Sequence, residues 1–447
     1  MRSTSVYMAN NLLNESSMTH LNDGVLKGNR PKRRSWNAPC RSLQKHCSSR
    51  LLIRLLQCAF LLVFSALNFA AFATPRIGVM TMQPGEIFWE RFGHNAIVVD
   101  DPQRGAPVSY NFGFFDLTEP GFIGRFVDGE MEYALVALPL EQDLLLYRDE
   151  GRGVTLQWLN VTPLQAEAIA AALEDNAKPE NARYRYDYFT ANCSTRVRDV
   201  LDHGLGGMLK PQLLASSHGN SFHSEAVRLV RPAFWMWLGF DLGLGPNADQ
   251  PMSRWDEAYV PMRLADSLRQ SKTTDGAPLV QSEQTLLPHR IAPEPADTAR
   301  AWWPYALAGL AIGLAIIGIG HRSRRWVTRV AIPFWLFCGI VGFLSVYIWG
   351  FTAHWAGWRN ENILLLNPLC LLLLPGGVAI ARGREPGRWF RTILIVVAAC
   401  AMIALILKWL PLLPQHNQPW IALLLPIQTA LAWAFHDKKN RQVAISS

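Results

Sequence analysis

Apolar and polar positions divide this chain into blocks of different character. Leu51 to Ala73 is an apolar run that follows Arg50, is interrupted by Arg54 and ends in Ala71-Phe72-Ala73-Thr74-Pro75. That small-x-small ending suits a signal peptidase; a retained signal anchor fits the same residues, and both readings stay open. Residues 74–270 carry the shorter, mixed patterning of a globular domain. Residues 271–300 are polar, contain proline and show little periodicity, so they read as a linker. Five apolar stretches follow, near 301–320, 327–350, 363–381, 392–412 and 419–436. Each is about 20 residues long, the length a helix needs to cross a bilayer.

Within 74–270 the pattern predicts strands over Ile87–Asp100 and Pro107–Phe115, joined by a polar turn at Asp100–Gly105. Met131–Leu138 and Gly153–Asn160 are two further strand candidates. Thr162-Pro163 opens a helix, with Thr162 as N-cap and proline at the first helical position. A second helix is expected to start near Asn192-Cys193 and to run to His203, with Gly204 as its stop.

Charge adds orientation. The formal net charge is +8, but residues 1–50 alone carry nine Lys or Arg against Glu15 and Asp23. The rest of the chain is almost neutral, which argues against a nucleic-acid partner. The tail (1–50) reads as a cytoplasmic flank of the first apolar segment (51–73), or as an over-extended start. Arg-rich loops at 321–325 and 382–388 and the basic tail (437–447) alternate with loops almost free of Lys and Arg. The positive-inside rule then places 74–300, 351–362 and 413–418 on the outer face, with 301–436 as five membrane helices. The expected location is the inner membrane of a bacterium, with the globular domain in the periplasm.

Cysteine usage points to chemistry. Of seven cysteines, Cys40, Cys47 and Cys58 precede the globular domain and Cys338, Cys370 and Cys400 follow it, leaving Cys193 alone inside it. A lone thiol in an exported domain has no disulfide partner there and is either an inert buried group or a reactive one. Its neighbours Asn192, Ser194, Thr195 and Arg196 are polar, and the expected helix N-terminus would lower the thiol pKa and supply N–H donors for an oxyanion. His94, after Gly93 at the head of an apolar strand, is the candidate general base. Asn111 on the adjacent strand is the candidate to orient the imidazole; a plain strand-edge role is the alternative. Asn192, Arg196, and His354 and Arg359 of the outer loop are candidates for substrate binding. The aromatic run Arg231–Phe240 would rest on headgroups, line an acyl groove or pack as core. No metal-ligand spacing and no nucleotide motif is present, so no cofactor is inferred.

Three segments carry a resemblance: Phe92-Gly93-His94, Tyr110-Asn111-Phe112-Gly113-Phe114-Phe115-Asp116, and Tyr188 to Arg196 around Asn192-Cys193. Histidine first and cysteine later reverses the papain order and resembles the circularly permuted branch of the NlpC-type papain-like superfamily. The set is most similar to the periplasmic domain of the Lnb family of bacterial lipoprotein N-acyltransferases. Leu242–Asp249, Thr352–Trp355 and Asn360–Pro368 extend the similarity. The resemblance implies an α+β, circularly permuted papain-like (NlpC-type) cysteine domain followed by an all-α helical membrane domain. It also implies Cys193 as nucleophile, His94 as base, a phospholipid acyl donor and a lipoprotein acceptor. A papain-like cell-wall peptidase, a phospholipase, and a non-catalytic sensor domain on a membrane anchor are the competing readings. Transport is disfavoured because the spans hold few ionisable residues, Lys408 being the clearest.

Overall fold

The computed structural model describes residues 74–298, 300–410 and 415–435. The expected N-terminal tail, the signal segment and the C-terminal tail lie outside the described residues. The N-terminal domain contains strands β1 (Arg76–Met82), β2 (His94–Asp100), β3 (Val108–Phe114), β4 (Glu132–Pro139), β5 (Val154–Leu159), β6 (Arg183–Arg185) and β7 (Val280–Leu287). They form one sheet in the order β6-β4-β3-β2-β1-β5-β7, antiparallel throughout. Helices α1 (Phe122–Asp128), α2 (Leu140–Glu150), α3 (Pro163–Asn176), α4 (Cys193–Gly204), α5 (Leu209–Leu214), α6 (Phe222–Val230), α7 (Phe234–Gly243), α8 (Arg254–Glu257) and α9 (Pro261–Gln270) complete the domain.

Strand alternation separates two cores. On β2, Ala96 and Val98 pack with Tyr147 of α2, whereas Ile97 and Val99 pack with Ile169 and Leu173 of α3, Val197 and Leu201 of α4, and Leu264 and Leu268 of α9. The expected strand at Ile87 starts later, at His94. Phe88–Glu90 instead makes a 3-10 turn, and Gly93 takes φ 77° with Met82 O only 2.8 Å from where a Cβ would sit. That glycine delivers the histidine to the first position of the strand. The α3 N-terminus is as expected: Thr162 and Gln165 form a reciprocal capping box ahead of Pro163.

The expected linker is a correction. Residues 280–287 are β7, which pairs with β5 from Val154↔Leu287 to Leu159↔Val280. Its side chains are mostly exposed, so pairing rests on the backbone and leaves no apolar alternation to read. The chain beyond it is tied down as well. Arg228 donates to Pro295 O at 2.6 Å, and Arg263 pairs with Asp297 at 2.6 Å.

The C-terminal region consists of helices α10 (Trp303–Arg322), α11 (Arg324–Phe351), α12 (Leu374–Ala381), α13 (Arg388–Leu407) and α14 (Gln418–Ala434). Among the described residues four segments are long and apolar enough to cross a membrane: α10, α11, Glu361–Ala381 and α13. The fifth expected span is the shorter α14, with 17 residues. It lies along α10, where Gly309 and Gly313 bring the two backbones together; a Cβ on Gly309 would meet Ala422 O at 2.6 Å. The third span is not one helix but two 3-10 segments, Glu361–Leu364 and Pro368–Leu373, leading into α12. Irregular backbone in so apolar a segment needs polar partners, and Asn360, Asn362 and Asn367 supply several. Asn360 and Asn362 both donate to Leu242 O, at 2.7 and 3.1 Å, and Asn367 accepts from Leu369 N at 3.0 Å.

The two regions meet over a polar seam. His223 on α6 lies between two carboxylates, Asp249 Oδ1 at 3.0 Å from Nδ1 and Asp241 Oδ1 at 3.2 Å from Nε2. Asp249 also accepts from His416 N at 2.8 Å, and Asp241 accepts from Trp420 Nε1 at 2.7 Å and pairs with Arg300. Burial alone would push the imidazole of His223 down. The hydrogen bonds and charges of the two carboxylates outweigh it and raise the pKa to about 9. An unfolded histidine titrates near ~6.5, so this stabilisation is complete below about that pH and is lost as pH rises through about 9. The thermal midpoint of the detergent-solubilised protein is therefore expected to fall across that window. The loss should be worth on the order of 3 kcal/mol, and His223→Gln should flatten the curve. An unchanged curve in the variant would refute the role of the imidazolium.

Candidate active site

Sheet register brings His94 and Asn111 together. Ala96 is directly opposite Asn111 across β2 and β3, and His94 is two residues from Ala96, hence on the same face and diagonal to the asparagine. His94 Nε2 and Asn111 Oδ1 are 3.0 Å apart. The amide orientation follows from its other end. Asn111 Nδ2 donates to Asp143 Oδ2 at 2.9 Å and to Ser109 Oγ at 3.2 Å, and Ser109 Oγ donates to the same Asp143 oxygen at 2.7 Å. A carboxylate accepts only, so the amide NH2 faces Asp143 and the carbonyl faces the ring. His94 then carries its proton on Nε2 and keeps a lone pair on Nδ1. Asp143, on α2 and 1 % exposed, was not visible in the sequence, where it is one polar position in a helix that the pattern does not reveal.

Cys193 occupies the first turn of α4. Asn192 caps the helix by accepting from Thr195 N at 2.9 Å, and Thr195 Oγ1 accepts from Asn192 N at 2.8 Å. This leaves the N–H groups of Cys193 and Ser194 unclaimed by the cap, and these, with that of Asn95, face Sγ. Beneath the site, Ser194 Oγ lies 2.8 Å from Asn95 Oδ1, and Asn95 Nδ2 donates to Thr81 Oγ1 at 2.8 Å. All three residues are buried. The residue after the histidine is thus bonded to the residue after the cysteine. Gly113 takes φ 95° on a bulged β3 beside α4, a backbone conformation that favours glycine.

Electrostatics correct one expectation. The thiol pKa is raised, not lowered: burial pushes it up to about 11 and overrides the three N–H groups at Sγ. Burial and the charge of Arg152 push His94 down to about 4. At neutral pH the resting pair is a thiol and a neutral imidazole.

Cys193, His94 and Asn111 open onto one cavity of about 730 Å³, within the range of small-molecule sites. Its walls are rich in aromatic residues: Phe115, Phe122, Tyr133, Tyr186 and Tyr188 from one side, Trp235 and Phe240 of α7 from another. The aromatic run therefore lines the cavity, while Trp237 and Leu238 of the same helix pack against the membrane helices. The loop after α11 forms a further wall with His354, Trp355 and Ala356. His354 donates to Phe126 O at 3.1 Å, and Trp355 Nε1 donates to Asp187 Oδ2 at 2.8 Å, which pins the loop leading to Cys193.

Three of the residues expected to bind substrate are placed otherwise. Asn192 borders the cavity, but its side chain is occupied, donating to Tyr188 O and Tyr259 O at 2.9 Å each besides capping α4. Arg196 stacks on Tyr184 at 4.4 Å, outside the cavity lining. Arg359 is exposed and holds a left-handed backbone, φ 57°, also outside the lining. Charge drew attention to both arginines, but Arg196 is half-buried against Tyr184 and Arg359 faces solvent.

A family model of the Lnb N-terminal periplasmic domain matches residues 68–228, and one of the Lnb transmembrane domain matches residues 302–439. No curated protein and no solved structure matches the chain.

Two measurements test this geometry. Alkylation of Cys193 by iodoacetamide, followed by peptide mass mapping, should be slow at pH 7 and climb toward pH 11; a plateau near neutrality would reveal an ion pair instead. Asn95→Ala should cost about 1–3 kcal/mol, because it strands the buried Thr81 hydroxyl and leaves Ser194 only Ala258 O as a partner. A thermal midpoint equal to wild type would contradict that.

Proposed function

The chain belongs to the Lnb family and is a membrane protein with a periplasmic domain; on that footing we propose that it moves an acyl chain from a phospholipid, through a thioester on Cys193, to the N-terminal amine of a lipoprotein. The observation that carries this reading is the single aromatic cavity that receives Cys193 and the His94–Asn111–Asp143 relay and is closed by the loop after α11. An acyl chain suits such walls, and a loop between two apolar spans keeps the cavity near the bilayer surface, where both lipid substrates reside.

The first half-reaction follows from the neutral resting pair. As Sγ attacks the ester carbonyl carbon, His94 Nδ1 takes the thiol proton, so the thiolate forms only in step with the new C–S bond. The carbonyl electrons move onto oxygen, and backbone N–H groups at the start of α4 stabilise that charge. Collapse breaks the C–O bond, and His94 returns its proton to the departing lysophospholipid oxygen. Asn111 holds the ring through Nε2–H and stabilises its transient charge, and Asp143 keeps Asn111 from flipping. In the second half-reaction the acceptor amine attacks the thioester and Cys193 leaves.

A cell-wall peptidase of the same chemistry would present a polar cleft to a peptide stem, and the aromatic lining favours the lipid reading. A phospholipase would share the first half-reaction and differ only in using water for the second.

Purified protein mixed with a phospholipid and a diacylglyceryl lipopeptide should show an acyl adduct on wild type and none on Cys193→Ala, with N-acylated lipopeptide as product. His94→Ala should lower the rate about 10²–10⁴-fold. Free fatty acid without acylated peptide would indicate a lipase, and no adduct with any donor would overturn the reading.

A further inference from the structure

Aminolysis leaves one proton that the Cys193–His94 pair does not account for. A peptide N-terminus arrives as an ammonium and ends as an amide bearing a single hydrogen. Of its three protons, one stays on nitrogen, one reaches the departing sulfur through His94, and the third needs another acceptor.

The same cavity contains a polar corner outside the relay. Glu90 ends the 3-10 turn Phe88–Glu90 and stands four residues before His94, with its backbone carbonyl accepting from Gly93 N at 2.9 Å. Glu90, Glu150 and Arg152 all line the cavity. Arg152 is 4 % exposed; it donates through Nε to Gln83 O at 2.9 Å and through Nη1 to Glu150 at 3.2 Å, while its buried Nη2 has no partner. The Glu90 carboxylate shares the corner with this pair and folds back over Gly85, where an added Cβ would lie 2.1 Å from Oε2. Two carboxylates beside one guanidinium, set in a largely apolar chamber, suit an incoming ammonium.

Resting on the acyltransferase reading, we propose that Glu90 binds the acceptor's α-ammonium and takes its proton, so that the amine is free to attack the Cys193 thioester. The step balances. The ammonium gives one proton to Glu90, and the nitrogen lone pair forms the C–N bond. The C–S bond breaks, and a second proton passes from nitrogen through His94 to Sγ. Glu90 then releases its proton to water.

The environment of each base supports this division. Burial, and next the charge of Glu150, raise Glu90 to about 7, with Arg152 opposing. An α-amino group titrates near ~8, so transfer to Glu90 is uphill by only about tenfold, against about ten-thousandfold for His94. Besides Glu150 and Arg152, the charged and titratable groups lining this chamber are Asp143, Tyr147 and His94 from α2 and β2, Tyr133 of β4, Tyr186, Asp187, Tyr188 and Cys193 from the segment entering α4, Tyr259 before α9, and His354 from the loop after α11.

The test separates the half-reactions by intact mass and product analysis, using the full-length protein, phospholipid vesicles and a diacylglyceryl lipopeptide. Glu90→Gln should still accumulate the acyl adduct but transfer it to the lipopeptide at least tenfold more slowly at pH 7. Raising the pH toward 9 should relieve the defect, and Glu90→Asp should recover part of the rate. Hydroxylamine, neutral near pH 7, should discharge the variant's adduct as fast as that of wild type. Transfer at the wild-type rate, a defect that pH leaves unchanged, or loss of the adduct itself would each overturn the assignment. Absence of an adduct on wild type would instead remove the acyltransferase reading on which it rests.

Discussion

One buried contact underlies the site. Ser194 and Asn95, 99 residues apart, meet at 2.8 Å beneath the cavity. Each follows directly a residue that the site depends on, so the contact fixes the start of β2 against the start of α4. Without it the histidine and the cysteine would be carried by two elements packed mostly through apolar side chains, which specify direction poorly. Ala258 O, 2.6 Å from the same Oγ, shares its single hydroxyl proton with Asn95 Oδ1, so the segment before α9 joins the same knot. The relay from Asp143 to His94 adds orientation to a distance already set.

A second layer of polar contacts holds the membrane helices to this platform. Asn360, Asn362 and Gln415 donate to the carbonyls of Leu242 and Leu244, at the end of α7 and just beyond it, and His223 bridges the carboxylates that reach His416 and Trp420. Nearly all these groups are buried, where an unpaired partner is costly, so the seam favours one arrangement over many. The loop after α11 that lines the cavity inherits its position from this seam.

Much of this was legible in the sequence, for physical reasons. Strands β2 to β5 announce themselves by apolar runs between turn residues, and α3 and α4 by caps that need particular side chains. Cys193 stands out because it has no partner in its domain, and His94 because Gly93 precedes it. What stayed hidden has causes too. β1 is buried on both faces, so its residues show no alternation to read. β7 is an edge strand held by its backbone. Asp143 and Glu90 are polar residues whose meaning comes from what faces them across the cavity, and no spacing along the chain encodes that. The thiol pKa was misjudged in sign because burial, a tertiary property, outweighs the local helix start.

Gly245 shows how little slack the seam leaves: a Cβ there would stand 2.4 Å from Trp358 O, and the glycine N–H already donates to Ala356 O at 2.8 Å. The two halves of the molecule are therefore not modules that evolution or an experimenter can trade freely. Cutting the chain near residue 300 would strip the roof from the chamber and leave Phe189, Phe222 and Tyr259, which now pack beneath Trp355 and Ala356, as bare aromatic floor open to water.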